Sequence, residues 1–179
     1  MLETDEQLVM KARGGDREAF SVLMVRYERP VLAEAMSVLR SWHDARDVAQ
    51  DAFFTAYRKL KHLWTPGKFG PWVLQIARRS AWRYRKRRSY GACEAIPPDL
   101  PTRQTDLLNS DLPQDLLVLV TRLPDQERVV VMLRYLDGLQ PVNISQVLGR
   151  PVGTVTKQLS RAHRRLRKWL GKEVDHEQP

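Results

Sequence analysis

Apolar residues along this chain recur at intervals of three and four, and no segment alternates at period two, so the pattern predicts an all-α protein. A first helix is expected from about Glu3 to Arg13, stopped at Gly14-Gly15. Asp16 then caps a second helix that buries Phe20, Leu23 and Met24 up to about Arg29, with Pro30 breaking or kinking it before a continuation through Leu39. Ser41 or Asp44 starts a third unit. In it Val48, Ala49, Ala52, Phe53, Ala56 and Leu60 form one stripe and leave Asp47, Gln50, Asp51 and Phe54 outside it or on its margins. The glycines and prolines between His62 and Pro71 mark a loop, although it carries Leu63, Trp64 and Phe69. Aromatics there can be a lid, a core plug or a base-stacking surface. A fourth helix, from Pro71 to about Arg88, buries Trp72, Val73, Ile76 and Ala77.

Periodicity fades from Tyr90 to Asp111, where Pro97, Pro98 and Pro101 point to an extended, mobile linker. Beyond it, helices are expected over Leu112–Leu123 and from Pro124 through Val129, Val130, Met132, Leu133 and Leu136 to the stop at Asp137-Gly138. A short helix follows over Pro141–Leu148, with Ile144, Val147 and Leu148 inward. Gly149 can supply a positive φ and Pro151 fixes φ for a last helix, whose stripe is Val152, Val155, Leu159, Ala162 and Leu166. Its other face carries Thr156, Lys157, Ser160, Arg161, Arg164 and Arg165. This is helix-turn-helix spacing, and the second helix would enter a DNA major groove. A basic amphipathic helix alone is as often a solvated face; the short helix, glycine turn and long basic helix together favour groove insertion. The chain thus divides into two small helical domains, 1–89 and 111–172, joined by a linker at 90–110 and ending in a disordered tail at 173–179.

Charge sharpens this division. The net charge is +9, and residues 1–90 hold 18 basic and 10 acidic side chains, residues 91–127 hold 2 and 7, and residues 128–179 hold 10 and 4. Two basic blocks flanking an acidic spacer favour a polyanionic partner. Between His62 and Cys93 stand eight Lys or Arg and no acid, with Trp82 and Tyr84 interleaved, which suits nucleic acid. An exposed acidic strip at Asp47, Gln50 and Asp51 needs a different explanation.

Enzyme chemistry finds little support, and no catalytic residue is assigned. The four histidines are scattered, and one cysteine, Cys93, permits neither an internal disulfide nor a cysteine-based zinc site, so no metal and no cofactor are expected. Pro66-Gly67-Lys68-Phe69 fails as a phosphate loop for want of the upstream glycine and of a Ser or Thr after the lysine. No apolar run approaches eighteen residues and the start is acidic, so neither membrane insertion nor a signal peptide is expected, and the protein should stay in the cytoplasm.

Taken end to end, the chain resembles bacterial sigma factors of the extracytoplasmic-function group of the sigma-70 family. Asp44-Ala45-Arg46-Asp47-Val48-Ala49-Gln50-Asp51-Ala52-Phe53 resembles the part of the family's region two that binds the β′ clamp helices of RNA polymerase. Phe69-Gly70-Pro71-Trp72-Val73-Leu74-Gln75-Ile76-Ala77-Arg78 resembles the segment that opens the −10 promoter element. Leu123-Pro124-Asp125-Gln126-Glu127-Arg128, Leu133-Arg134-Tyr135-Leu136-Asp137-Gly138-Leu139, and Gly153-Thr154-Val155 to Arg161-Ala162 resemble region four, which reads the −35 element.

The resemblance implies a region-two helical bundle, a region-four helix-turn-helix and a promoter-specificity function. The polymerase contacts would be Asp44, Asp47, Gln50, Asp51 and Phe54. The −10 contacts would be Trp64, Lys68, Phe69, Gln75, Arg78, Arg79 and Arg83, with Trp64 and Phe69 stacking on or lining a pocket for an unstacked base. The −35 contacts would be Arg150, Thr154, Thr156, Lys157, Ser160, Arg161, Arg164 and Arg165. Implied partners are core RNA polymerase through the β′ clamp helices and the β flap, promoter DNA, and an anti-sigma factor. Two departures stand out: Arg79 and Arg83 replace the usual Asn and acid after Ile-Ala-Arg, and Val142-Asn143 replaces the usual acidic pair. The competing reading is a stand-alone helix-turn-helix regulator that binds a palindromic duplex without polymerase.

Overall fold

The computed structural model describes residues 3–91 and 114–174, all of whose regular structure is helical. These residues build two compact units, one on the first four helices and one on the last four. Cys93, most of the predicted linker and residues 175–179 lie outside the described residues.

In the first unit, α1 (Asp5–Arg13) begins at Thr4, whose side chain accepts from the Gln7 amide while Gln7 returns the bond to the Thr4 amide. Asp16 caps α2 (Arg17–Leu39) by accepting from Ala19 N–H at 3.0 Å. Of the break or kink expected at Pro30, a break does not occur: α2 runs on through it to Leu39 with the proline buried. Packing of α2 against α1, α3 and α4 compensates the lost backbone bond. Met24, expected inside, is exposed, because the buried line on α2 passes through Leu23 and Tyr27 and Met24 stands one helical step off it.

Ser41 caps α3 (Trp42–Lys59), whose stripe from Ala45 to Ala56 is buried as the pattern requires. Two 3-10 turns, Leu60–His62 and Pro66–Lys68, then carry the chain into α4 (Phe69–Gly91). That helix starts two residues earlier and ends later than the pattern suggested, taking up the first residues assigned to the linker. Trp72 and Ile76 are half-buried, while Val73, Leu74 and Ala77 are inside.

Two polar ties hold α4 in place. Glu34, buried on α2, meets Arg78 at 2.9 Å. Asp44 accepts from the Tyr84 hydroxyl at 2.8 Å and from Arg88 at 2.6 Å. That hydrogen bond, ahead of burial, raises the Tyr84 pKa above its ordinary value. An unpaired carboxylate in such positions would cost several kcal/mol on the order of the desolvation penalty, so both ties are structural requirements.

The second unit contains α5 (Gln114–Arg122), α6 (Asp125–Tyr135), α7 (Pro141–Leu148) and α8 (Val152–Val174). Pro124 at the start of α6 has no side-chain acceptor to cap it, and buried Arg128 reaches back to the carbonyls of Val120, at 3.2 Å, and Leu123. It thereby satisfies acceptors left over at the end of α5. Gly149 takes φ 62° between α7 and α8, a left-handed conformation that glycine adopts without steric cost. Ile144, Leu148, Val155, Leu159, Ala162 and Leu166 are buried, whereas Val147 is half-buried and Val152, at the first residue of α8, is exposed.

Gly70 offers a sharp test of packing in the first unit. A Cβ there would lie 2.5 Å from the Tyr27 ring, and that ring is pinned because its hydroxyl donates to Asp5. Gly70→Ala is expected to destabilise the protein by about 1–3 kcal/mol in urea unfolding. An unchanged midpoint would mean that the ring swings aside freely.

Candidate functional site

The loop between the two 3-10 turns is held closed at its base and open at its tip. Leu63 and Phe69 are buried at either end, whereas Trp64 is 97% exposed and Lys68 is also exposed. Phe69 is fully buried, with ring centroids 5.5 Å from Tyr27, 6.0 Å from Trp72 and 6.2 Å from Phe20. The expectation that Phe69 stacks on a base is therefore corrected: it plugs the core beneath the loop, and Trp64 alone presents an aromatic face. Lys68 N–H closes the tip by donating to Thr65 C=O at 2.9 Å. Arg13, at the end of α1, donates to the carbonyls of Leu60, at 3.1 Å, and Leu63. Nothing in the sequence singled out Arg13, because its partners are backbone atoms fifty residues away along the chain and any residue would supply them.

Along α4, Gln75, Arg79 and Arg83 are exposed at four-residue spacing, so they share one face. Arg83 is steadied against Arg79 C=O at 3.3 Å and the Ser80 hydroxyl at 3.1 Å. Arg85 lies 3.8 Å over the centroid of Trp82. Arg78 departs from expectation. Its guanidinium is committed to Glu34, so it braces the helix from within instead of standing with Arg79 and Arg83.

On α3, Asp47, Gln50, Asp51 and Phe54 are all exposed, Phe54 to 59%, and their spacing of three and four puts them on one face. The structure separates Asp44 from this group: it is buried and both of its oxygens are engaged by α4. The strip of Asp47, Gln50 and Asp51 is exposed as expected, and Asp44, which the resemblance added to the polymerase contacts, is withdrawn from it.

On α8, Thr154, Thr156, Lys157, Ser160, Arg161 and Arg164 are exposed. Thr156 donates to Val152 C=O at 3.0 Å, leaving its oxygen free to accept. Arg165 is half-exposed but paired with buried Glu127 at 3.0 Å, which ties α8 to α6. Arg150 is half-buried and donates to Gln158 at 3.4 Å. Lys157, Ser160, Arg161 and Arg164 thus remain as a contiguous basic and hydroxyl face unburdened by these internal ties. Among the described residues no group of three His, Cys, Asp or Glu could hold a metal ion.

Residues 23–90 match the family Sigma-70 region 2, and residues 114–166 match Sigma-70, region 4. The ECF RNA polymerase sigma-E factor of Escherichia coli is 31% identical over 173 residues, covering 89% of this chain and 90% of that protein. The chain is an extracytoplasmic-function sigma factor of the sigma-70 family. ECF RNA polymerase sigma factor SigW of Bacillus subtilis is 29% identical, covering 90% of this chain and 94% of that protein. RNA polymerase sigma-H factor of Pseudomonas aeruginosa is 28% identical, with 94% of each covered. The fold of this sigma factor is shared with CnrH, solved in complex with the cytosolic domain of CnrY, at a TM-score of 0.63 and 22% identity over 95% of this chain and 99% of that one. As a sigma factor it binds core RNA polymerase and promoter DNA and directs transcription initiation. Among the described residues no helix is long and apolar enough to cross a membrane.

The two loop aromatics should part company under mutation. Phe69→Ala is expected to cost about 3–5 kcal/mol of stability, as for a fully buried aromatic, whereas Trp64→Ala should leave the thermal midpoint of this sigma factor unchanged within error. A large loss of stability in Trp64→Ala would contradict the placement of that ring in water.

Proposed function

We propose that the exposed face of α3, made by Asp47, Gln50, Asp51 and Phe54, docks on the β′ clamp helices of RNA polymerase, and that the Trp64–Lys68 tip captures an unstacked base of the −10 element. The observation that carries this reading is an aromatic ring almost wholly in water on a loop whose two ends are buried. Such a ring gains by stacking on a base, and base–aromatic stacking is worth about 1–3 kcal/mol per base. Arg79 and Arg83 then follow the phosphates next to the captured base, with Gln75 on the same face.

Strand opening in this scheme needs no catalytic group and no cofactor. Duplex DNA opens transiently, the loop binds only the flipped base, and the binding energy shifts the equilibrium toward the open form. Polymerase supplies the chemistry, and the sigma factor carries out no reaction of its own. Lys157, Ser160, Arg161 and Arg164 of α8 read and grip the −35 duplex, the two basic side chains being suited to guanine edges or to phosphates. Region four also rests on the β flap. The protein acts in the cytoplasm, where its promoter DNA is. The sigma factor RpoE of Bartonella quintana, similar in fold at a TM-score of 0.58, was solved with the anti-sigma factor NepR, and an anti-sigma factor is the natural holder of this chain when it is idle.

Two expectations test the assignment in reconstituted holoenzyme. Lys157→Ala or Arg161→Ala is expected to weaken −35 binding by about 1–3 kcal/mol in a footprinting titration if the side chain makes a bidentate base contact; wild-type occupancy would retire that face of α8. Asp47→Ala combined with Gln50→Ala is expected to lower retention on core polymerase while circular dichroism stays the same. Full retention would move the polymerase interface elsewhere.

A further inference from the structure

The sequence element that shapes the base-capturing loop lies outside the part of the chain that matches region two. The match begins at residue 23, whereas α1 ends at Arg13. From there the Arg13 guanidinium reaches the 3-10 turn after α3, donating through Nε to the Leu60 carbonyl at 3.1 Å and through its terminal nitrogen to the Leu63 carbonyl. The Leu60 carbonyl also accepts from Leu63 N–H at 3.2 Å, so the guanidinium and the turn's own amide share that oxygen. Leu63 is the last buried residue before Trp64. The peptide whose carbonyl Arg13 holds is the one that joins Leu63 to Trp64, so its orientation sets the direction in which the tryptophan leaves the core. Helix α1 packs against both 3-10 turns, and it is itself fixed to α2 by Asp5, which accepts from Tyr27 and Arg26.

We propose that Arg13 is a positioning residue for capture of the melted −10 base, acting through the carbonyls of Leu60 and Leu63 on the direction of Trp64. This rests on the reading of the Trp64 loop given above. A guanidinium suits the task because its planar fork meets two acceptors at a fixed separation while remaining charged, which an ammonium cannot do with the same geometry. Without it, the Leu60 carbonyl would keep the Leu63 N–H, the Leu63 carbonyl would turn to water, and the peptide before Trp64 would be free to rotate. The tip would then bind the base only from part of its conformations, and apparent affinity falls in proportion to that fraction. The α1 segment thereby becomes part of the promoter-opening apparatus without touching DNA.

The experiment compares Arg13→Ala, Arg13→Lys, Trp64→Ala and the Arg13→Ala/Trp64→Ala double variant in holoenzyme on one promoter. It reads core retention, −35 footprint and permanganate reactivity of the −10 thymines. Arg13→Ala is expected to lower −10 reactivity about tenfold, as loss of two charge-assisted hydrogen bonds allows, with core retention and −35 footprint unchanged. Arg13→Lys should fall between it and wild type, and the double variant should be no worse than Trp64→Ala alone. A residue serving only stability would give additive losses and lower core retention as well, which would overturn the proposal. So would wild-type melting by Arg13→Ala where Trp64→Ala melts poorly. If Trp64→Ala itself melts the promoter normally, the loop reading fails instead. Should the alanine variant not fold, the lysine variant and its combination with Trp64→Ala carry the same comparison.

Discussion

The requirement that a buried charge be paired governs both units of this protein. Glu34, Asp44, Glu127 and Arg128 are all withdrawn from water, and each one fixes a helix to its neighbour. A single unpaired carboxylate in such surroundings costs several kcal/mol, roughly the scale of a domain's whole stability, so removing either member of a tie would be felt throughout its unit. These pairs also consume part of the basic complement. Arg128 is buried against carbonyls, Arg78 is largely covered against Glu34, and Arg88 and Arg165 lie at the surface but reach in to buried acids, so all four are occupied by the scaffold. A protein of net charge +9 thus separates its arginines into those that hold the scaffold and those available to a polyanion.

That separation explains where the sequence could be read and where it could not. Helix periodicity locates the eight α-helices of the described residues, and the caps at Asp16 and Ser41 and the turn at Gly149 follow from local chemistry that neighbours in sequence supply. Exposure of Asp47, Gln50, Asp51 and Phe54 likewise follows from their angular distance from the buried stripe on α3. The resemblance puts Asp44, Phe69 and Arg78 on contact surfaces, and the basic face of α8 includes Arg165, yet each is engaged by a partner remote in sequence. At Pro30 local propensity predicts a break or a kink, and α2 stays continuous because packing on three sides sustains it. Arg13 left no trace in the pattern at all, since the groups it binds are main-chain oxygens.

The three proposed contact surfaces share one construction. A rigid base, made of buried apolar side chains and ion pairs, projects a few side chains that have no internal duty. At the Trp64 loop the base is Leu63, Phe69 and the Arg13 hydrogen bonds; on α3 it is the stripe from Val48 to Ala56; on α8 it is the stripe from Val155 to Leu166 with the Glu127–Arg165 tie. On the proposed reading, fixing the presenting backbone in advance lowers the entropy lost on binding, so more of the stacking and phosphate energy would go into opening the duplex. The phosphate share of that energy falls steeply with salt, whereas stacking on Trp64 does not depend on counterion release.

On the proposed reading Trp64, and not the neighbouring aromatic Phe69, meets the melted base. Site-specific photo-crosslinking decides it most directly, with a benzophenone side chain at position 64, or at position 54 for comparison, in holoenzyme bound to promoter DNA. Crosslinks are expected from position 64 to the non-template −10 strand and from position 54 to polymerase. Crosslinks from position 64 to polymerase alone, or from position 54 to the −10 strand, would contradict that reading.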